Sequence, residues 1–220
     1  MSKKLEQKQA RRREQERKQT EQRKAAWRTN IVTIVVAVVV IGIVVFAIAS
    51  ERQTTEAPVG VAAAEADCQP VEEADALEGQ HIKEGTPHAE YNTDPPTSGP
   101  HYEIPADPAF YTSPVEPERV VHNLEHGQIV LWYPSDLAAD DKDLIEEIVD
   151  DEPAATVGNP YDGLPDGTKI AMTAWNAGED DSAGTGILQT CGEISQAAVN
   201  EFREKYQGRS PEPLTPRFNG

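Results

Sequence analysis

The stretch "VVHNLEHGQIVLWYP", Val120 to Pro134, holds two histidines four residues apart, a glutamate before the second, and a glycine that opens an apolar run. Within it "QIVLWY", Gln128 to Tyr133, is short and almost wholly apolar, and predicts a buried strand. Downstream, Ser135 or Asp136 can cap a helix running to about Asp151, with Leu137, Leu144, Ile145, Ile148 and Val149 forming one apolar stripe and Pro153 ending it. "TKIAMTAW" and "GILQT" predict two further strands, separated by the turn-rich "NAGEDDSAG". A last helix starts at Ser195, places Val199, Phe202 and Tyr206 on one face, and stops at Gly208. Strands and helices interleaved around one long loop predict a single small α+β domain of packed layers.

That loop lies upstream. From Leu77 to Pro117 the chain is dense in Pro, Gly and polar residues, most of all in "NTDPPTSGPHY". Proline fixes φ, and the residue before it avoids the helical region, so the segment is extended or turning. A long irregular segment inside a compact domain is uncommon unless it is functional. All five histidines, His81, His88, His101, His122 and His126, fall between positions 81 and 126.

If "HNLEHG" is helical, His122 and His126 share one face, and Gly127 ends the helix after about a turn. Two imidazoles at this spacing can share a metal. His101, after "PPTSGP", and His81, before "IKEGTP", sit in loops able to converge on them. The candidate ligands are therefore His81, His101, His122 and His126, with Glu125 orienting them from behind. One transition metal ion, zinc or copper, suits such a set, and the absence of a nearby cysteine or methionine disfavours Cu(I). The competing reading is a structural or interaction module in which the same histidines hydrogen-bond loop carbonyls and hold the irregular segment together. A hydrolase stands third. His-x-x-Glu-His matches the inverzincin order, with Glu125 as base, but the expected helix is short and no motif marks a third ligand; Glu201 and Glu204 belong to an ordinary acidic helix. Thr97 and Ser98 beside His101 read as turn formers rather than nucleophiles. Met172, Trp132, Tyr133 and Trp175 read as core, the aromatics reaching its rim.

The ends locate the domain. Residues 1–30 hold eleven Lys or Arg against four Glu, a net charge of +7. Ile31 to Ala49 carries no charge and as a helix would span about 28 Å, close to the roughly 30 Å core of a bilayer. We read 31–50 as a transmembrane helix with the basic segment cytoplasmic and all that follows outside. Ala47 and Ala49 resemble a signal-peptidase site, but the length of the apolar run after so long a basic head favours a permanent anchor, and the acidic "AEAD" before Cys68, well past that run, disfavours a lipoprotein cysteine. A flexible stalk, 51–67, leads to a folded domain, 68–213, and a Pro-rich tail, 214–220. Residues 51–220 hold nine basic and thirty-four acidic side chains, a net charge of −25, which makes nucleic-acid binding unexpected and attracts cations. Cys68 and Cys191 both lie beyond the anchor, so one disulfide is expected, worth about 4 to 5 kcal/mol in the chain-entropy treatment.

"GQHIKEGTPHAEYNTDPPTSGPHY", then "VVHNLEHGQIVLWY" and "IAMTAW", resemble the bacterial domain of unknown function family numbered 3105. The resemblance covers roughly residues 68–213 and rests on the PPTSGPH and HNLEHG signatures. It implies an N-terminal membrane helix, in the lipid bilayer, with an external domain in the bacterial envelope, and it names no envelope protein partner. His81, His101, His122, Glu125 and His126 match signature positions, whereas His88 is peculiar to this chain. No activity comes with the resemblance.

Overall fold

The computed structural model describes residues 59–178 and 183–218, which belong to one unit, Ala57–Gly220. The basic segment 1–30 and the apolar run 31–50 lie outside the described residues. Among the described residues no helix is long and apolar enough to cross a membrane. The strands are β1 (Glu72–Asp75), β2 (His81–Ile82), β3 (His101–Tyr102), β4 (Ile129–Tyr133), β5 (Thr156–Pro160), β6 (Ile170–Asn176) and β7 (Thr185–Cys191). The α-helices are α1 (Pro117–Glu125), α2 (Ala139–Asp151) and α3 (Gln196–Tyr206). Five strands make one mixed sheet, ordered β1-β7-β6-β4-β5, while β2 and β3 pair separately and in parallel.

All five residues of β4 are buried because both faces of the sheet are covered. Strand side chains alternate between faces. Ile129, Leu131 and Tyr133 join Ile170, Met172 and Ala174 of β6 in a cluster that α2 completes with Ile145, Ile148 and Val149, and α3 with Val199 and Phe202. Val130 and Trp132 point the other way, joining Ala171 and Trp175 against Val120, Val121 and Leu124 of α1. A strand covered on both sides has no polar face, which is why its sequence is a continuous apolar run. The result is the small α+β domain expected, in three layers, with α1 and the irregular segment forming the layer that carries the histidines. The α2 crossover joins parallel β4 and β5; β6 runs antiparallel to both β4 and β7, and β1 adds antiparallel at the β7 edge.

Several expectations need correction. Helix α2 begins at Ala139 with no side-chain cap, because its N-cap position is Ala138, downstream of Ser135 and Asp136; the Ser135 N–H donates instead to Asp162 Oδ1 (3.1 Å) and its carbonyl accepts from Lys142 Nζ (2.7 Å). Helix α1 has nine residues rather than one turn, since Pro117 sits at its start, where the missing N–H costs nothing. Chain order begins earlier than 68: Gln196 N–H donates to the Val59 carbonyl, Val61 N–H to that of Ile194, and Ala66 is fully buried. Helix α3 starts as expected, Ser195 Oγ accepting from Ala198 N–H at 3.2 Å. Cys68 and Cys191 form the disulfide.

At its other end the chain returns to α1. The Gly208 N–H donates to the Gly127 carbonyl, Glu212 N–H to that of Glu125, and the Leu214 and Thr215 N–H groups both to that of His126. These bonds satisfy carbonyls that a helix C-terminus otherwise leaves unpaired. Gly127 has φ +84°, and a Cβ there would meet Gly208 Cα at 2.9 Å, so glycine is required twice over: for the left-handed turn and for the close approach.

Candidate metal centre

The parallel pairing of β2 with β3 sets His81 directly opposite His101 across a loop of the Pro-rich segment. That loop is fixed by its own polar groups. Ser98 Oγ accepts from the Leu77 N–H (3.0 Å), the Thr93 and Thr97 hydroxyls pair at 2.9 Å, and Tyr91 Oη donates to the Pro100 carbonyl (2.7 Å). Thr97 and Ser98 are fully buried structural residues, in keeping with a turn-forming role. Gly99 turns the chain at φ +120°, with Leu77 Cβ 3.2 Å from where its own Cβ would lie. Helix α1 brings His122 and Glu125 from the opposite side, three residues apart on one face.

His81, His101, His122 and Glu125 each offer a ligand atom, and these atoms lie within 4.8 Å of one another. The rings of the three histidines form a nearly equilateral triangle, with centroids 4.7, 4.8 and 4.9 Å apart. Glu125 Oε2 lies 3.0 Å from His101 Nε2 and 3.8 Å from His81 Nε2. Four donors bonded to one ion at 2.0 to 2.1 Å in a tetrahedron stand about 3.3 Å apart, so modest side-chain rotation closes the group. His126 is not one of the four; its Nε2 lies 2.8 Å from His122 Nε2. His88 is elsewhere, with Nδ1 at the Ala89 carbonyl and Nε2 at Glu118.

The hydrogen bonds fix which nitrogen of each ring carries the proton. His101 Nδ1 lies 2.8 Å from the Gly99 carbonyl, His122 Nδ1 2.6 Å from that of Tyr102, and His126 Nδ1 3.1 Å from that of Glu212. A carbonyl only accepts, so each Nδ1 donates, and a ring in its neutral form then turns an Nε2 lone pair inward. The Nε2 of His101 and the Oε2 of Glu125 are buried and, despite their 3.0 Å separation, have no hydrogen-bond partner. As neutral ring and carboxylate they are two acceptors facing one another, as are His122 and His126 Nε2. Acceptors pressed together in this way require a shared proton or a cation between them. Nδ1 held by a carbonyl with Nε2 turned inward is also the usual setting of a metal-bound imidazole.

Electrostatics suit the same role. Burial, reinforced by its histidine neighbours and only partly opposed by the Tyr102 carbonyl, lowers the pKa of His122 to about 4, so its ring is neutral at pH 7. Burial pushes the Glu125 carboxyl up, but the contact with His101 and the positive charge that His101, His81 and His122 carry when protonated outweigh it, and the net shift is downward. The literal inverzincin arrangement does not form, since Glu125 stands among the candidate ligands and His126 outside them. Glu201 and Glu204 lie exposed on α3, and Met172 is buried in the opposite cluster. Sequence reasoning passed over Gly79, whose absent Cβ would fall 2.5 Å from Glu125 Oε1 and 3.6 Å from His101 Cε1. Its signal was a glycine two residues before a candidate ligand.

The sequence profile of the family described as Protein of unknown function (DUF3105) matches residues 81–218, a span that takes in the whole cluster and the C-terminal segment. No curated protein and no solved structure matches the chain. The chain belongs to that family.

Proposed function

We propose that this member of the family is a single-pass membrane protein of the bacterial envelope, anchored by residues 31–50, whose extracytoplasmic α+β domain binds one transition metal ion. The ligands are His81, His101, His122 and Glu125, with His126 adjoining through His122. The observation that carries the reading is the convergence of acceptors: the ligand imidazoles of His101 and His122 have Nδ1 committed to carbonyls, and the inward-facing Nε2 of His101 lies unpartnered beside a buried carboxylate. Imidazole and carboxylate donors suit zinc or divalent copper. The Cys68–Cys191 disulfide supports an oxidising compartment, and the nineteen-residue apolar run after a basic segment supports the anchor and its orientation.

The test is metal content by elemental mass spectrometry on the full-length chain, purified in detergent without chelator or His-tag, beside the double variant His122→Ala, His126→Ala. One equivalent of zinc or copper, lost in the variant while circular dichroism is unchanged, is the expected result. A second reading has its own observation. The same Nδ1 bonds, with that of His126, tie three separate carbonyls, those of Gly99, Tyr102 and Glu212, to fixed rings, so the histidines act as a scaffold for an envelope interaction module. No metal in either protein, even after added zinc or copper, would leave this second reading standing.

A further inference from the structure

We infer that the cluster is built to exchange its ion rather than retain it, with His81 as the ligand that opens; the inference rests on the metal-binding reading above. The four candidate ligands are held unequally. The His101 side chain is 0% exposed and that of Glu125 7%, whereas His81 is 45% exposed. The rings of His101 and His122 are each fastened through Nδ1 to a carbonyl, while neither nitrogen of His81 has a hydrogen-bond partner among the described residues; its one polar approach is Nε2 to Glu125 Oε2 at 3.8 Å. His81 also rides on the two-residue strand β2, whereas His122 and Glu125 belong to a nine-residue helix packed on the sheet.

A ligand with no partner on its far side loses orientation as soon as it leaves the metal. His101 and His122 keep theirs through the Gly99 and Tyr102 carbonyls, and Glu125 stays buried on α1. When His81 Nε2 departs, its bond to the ion breaks and the vacated position faces solvent. An incoming imidazole or carboxylate lone pair from a receiving molecule then forms the new bond. No electron is transferred, and the ion keeps its charge. The inner three ligands hold the ion through the exchange, so release depends on the receiver as well as on the protein. The surrounding net charge of −25 raises the local concentration of cations that reload the site.

The experiment uses the full-length chain in detergent, loaded with one equivalent of zinc, and follows transfer of the ion to a chromophoric pyridylazo chelator at rising chelator concentration. The wild type should release zinc at a rate that increases with chelator concentration. His81→Ala should keep one equivalent but release it about ten-fold faster or more, His81→Asn should fall between, and His101→Ala should not retain an equivalent. If His81→Ala released zinc at the wild-type rate, with neither rate depending on chelator, the inference would be overturned while the metal reading stood. It would equally fail if His81→Ala, with unchanged circular dichroism, lost its zinc as completely as His101→Ala, for His81 would then be a fixed ligand. A wild type that binds no zinc would sink both together.

Discussion

Replacing Gly79 by alanine would set a methyl group 2.5 Å from Glu125 Oε1 and 3.0 Å from Trp175 Cη2. Trp175 is 2% exposed and its Nε1 donates to the Ala183 carbonyl at 2.7 Å, so the indole is pinned in the second core cluster and the carboxylate must give way. Ordinary contact begins near 3.4 Å, so Glu125 must move by about 0.9 Å. Metal–ligand bonds tolerate only about 0.2 Å. Zinc affinity should therefore fall roughly 10- to 100-fold, about 1.4 to 2.7 kcal/mol. Stability without metal should change by less than about 1 kcal/mol, because Gly79 is not in the left-handed region and the alanine restricts the unfolded chain, offsetting part of the clash. Competition titration against a fluorescent zinc chelator measures the first quantity, and urea unfolding in EDTA the second. An affinity within about three-fold of wild type, matched by an equally unaffected Glu125→Gln, would refute the placement of this carboxylate in the site.

Three other outcomes can be measured on the same protein. Replacing both Cys68 and Cys191 by alanine opens a link spanning 123 residues and should lower unfolding free energy in urea by about 4 to 5 kcal/mol. Arg203→Met should cost about 2 kcal/mol or more in thermal melts. The buried guanidinium donates to the Ile148 carbonyl and Thr156 Oγ1, joining α3 to α2 and β5, and the thioether leaves both acceptors without that donor. In EDTA, stability should fall as pH drops from about 6.5 toward 4: His122 stays neutral in the folded state down to about pH 4 while the unfolded chain takes up a proton below its ordinary pKa of 6.5. Solvent reaching the cluster past exposed His81 limits the loss to about 1 to 2 kcal/mol, and His122→Gln should flatten the slope in a pH series of urea melts.

The elements legible in the sequence are those whose signal is local. β4 shows as an apolar run because both its faces are covered, and α3 shows because Ser195 caps it and Val199, Phe202 and Tyr206 repeat on one side. β5, "TVGNP", carries a glycine and a proline that read as turn, yet Gly158 is required there: Phe110 Cδ2 would lie 2.9 Å from its Cβ. β1, "EEAD", is a short polar strand at the sheet edge, where exposure removes any apolar pattern. Pro117 hid α1 by reading as a helix breaker when it is the first helical residue. At the site, helical spacing brought His122 and His126 together, as found, with Nε2 atoms 2.8 Å apart. Spacing alone could not show that Glu125 turns inward, nor that a two-residue parallel pairing would set His81 against His101. Those placements depend on tertiary contacts of the loop, Gly79 and Ser98 above all, which leave no periodic trace.

The strap formed by residues 208–215 bears on the order in which the molecule can be made. The carbonyls of Glu125 and His126 find their hydrogen-bond donors in Glu212, Leu214 and Thr215, and the His126 ring finds its acceptor in Glu212. A ribosome must therefore add 86 residues after His126 before the Glu212 carbonyl that orients its ring is made. Until that stretch arrives the Gly99 and Tyr102 carbonyls can already aim His101 and His122, but a chain stopped at Gln207 would lack the carbonyl that aims His126 and the donors that cap α1.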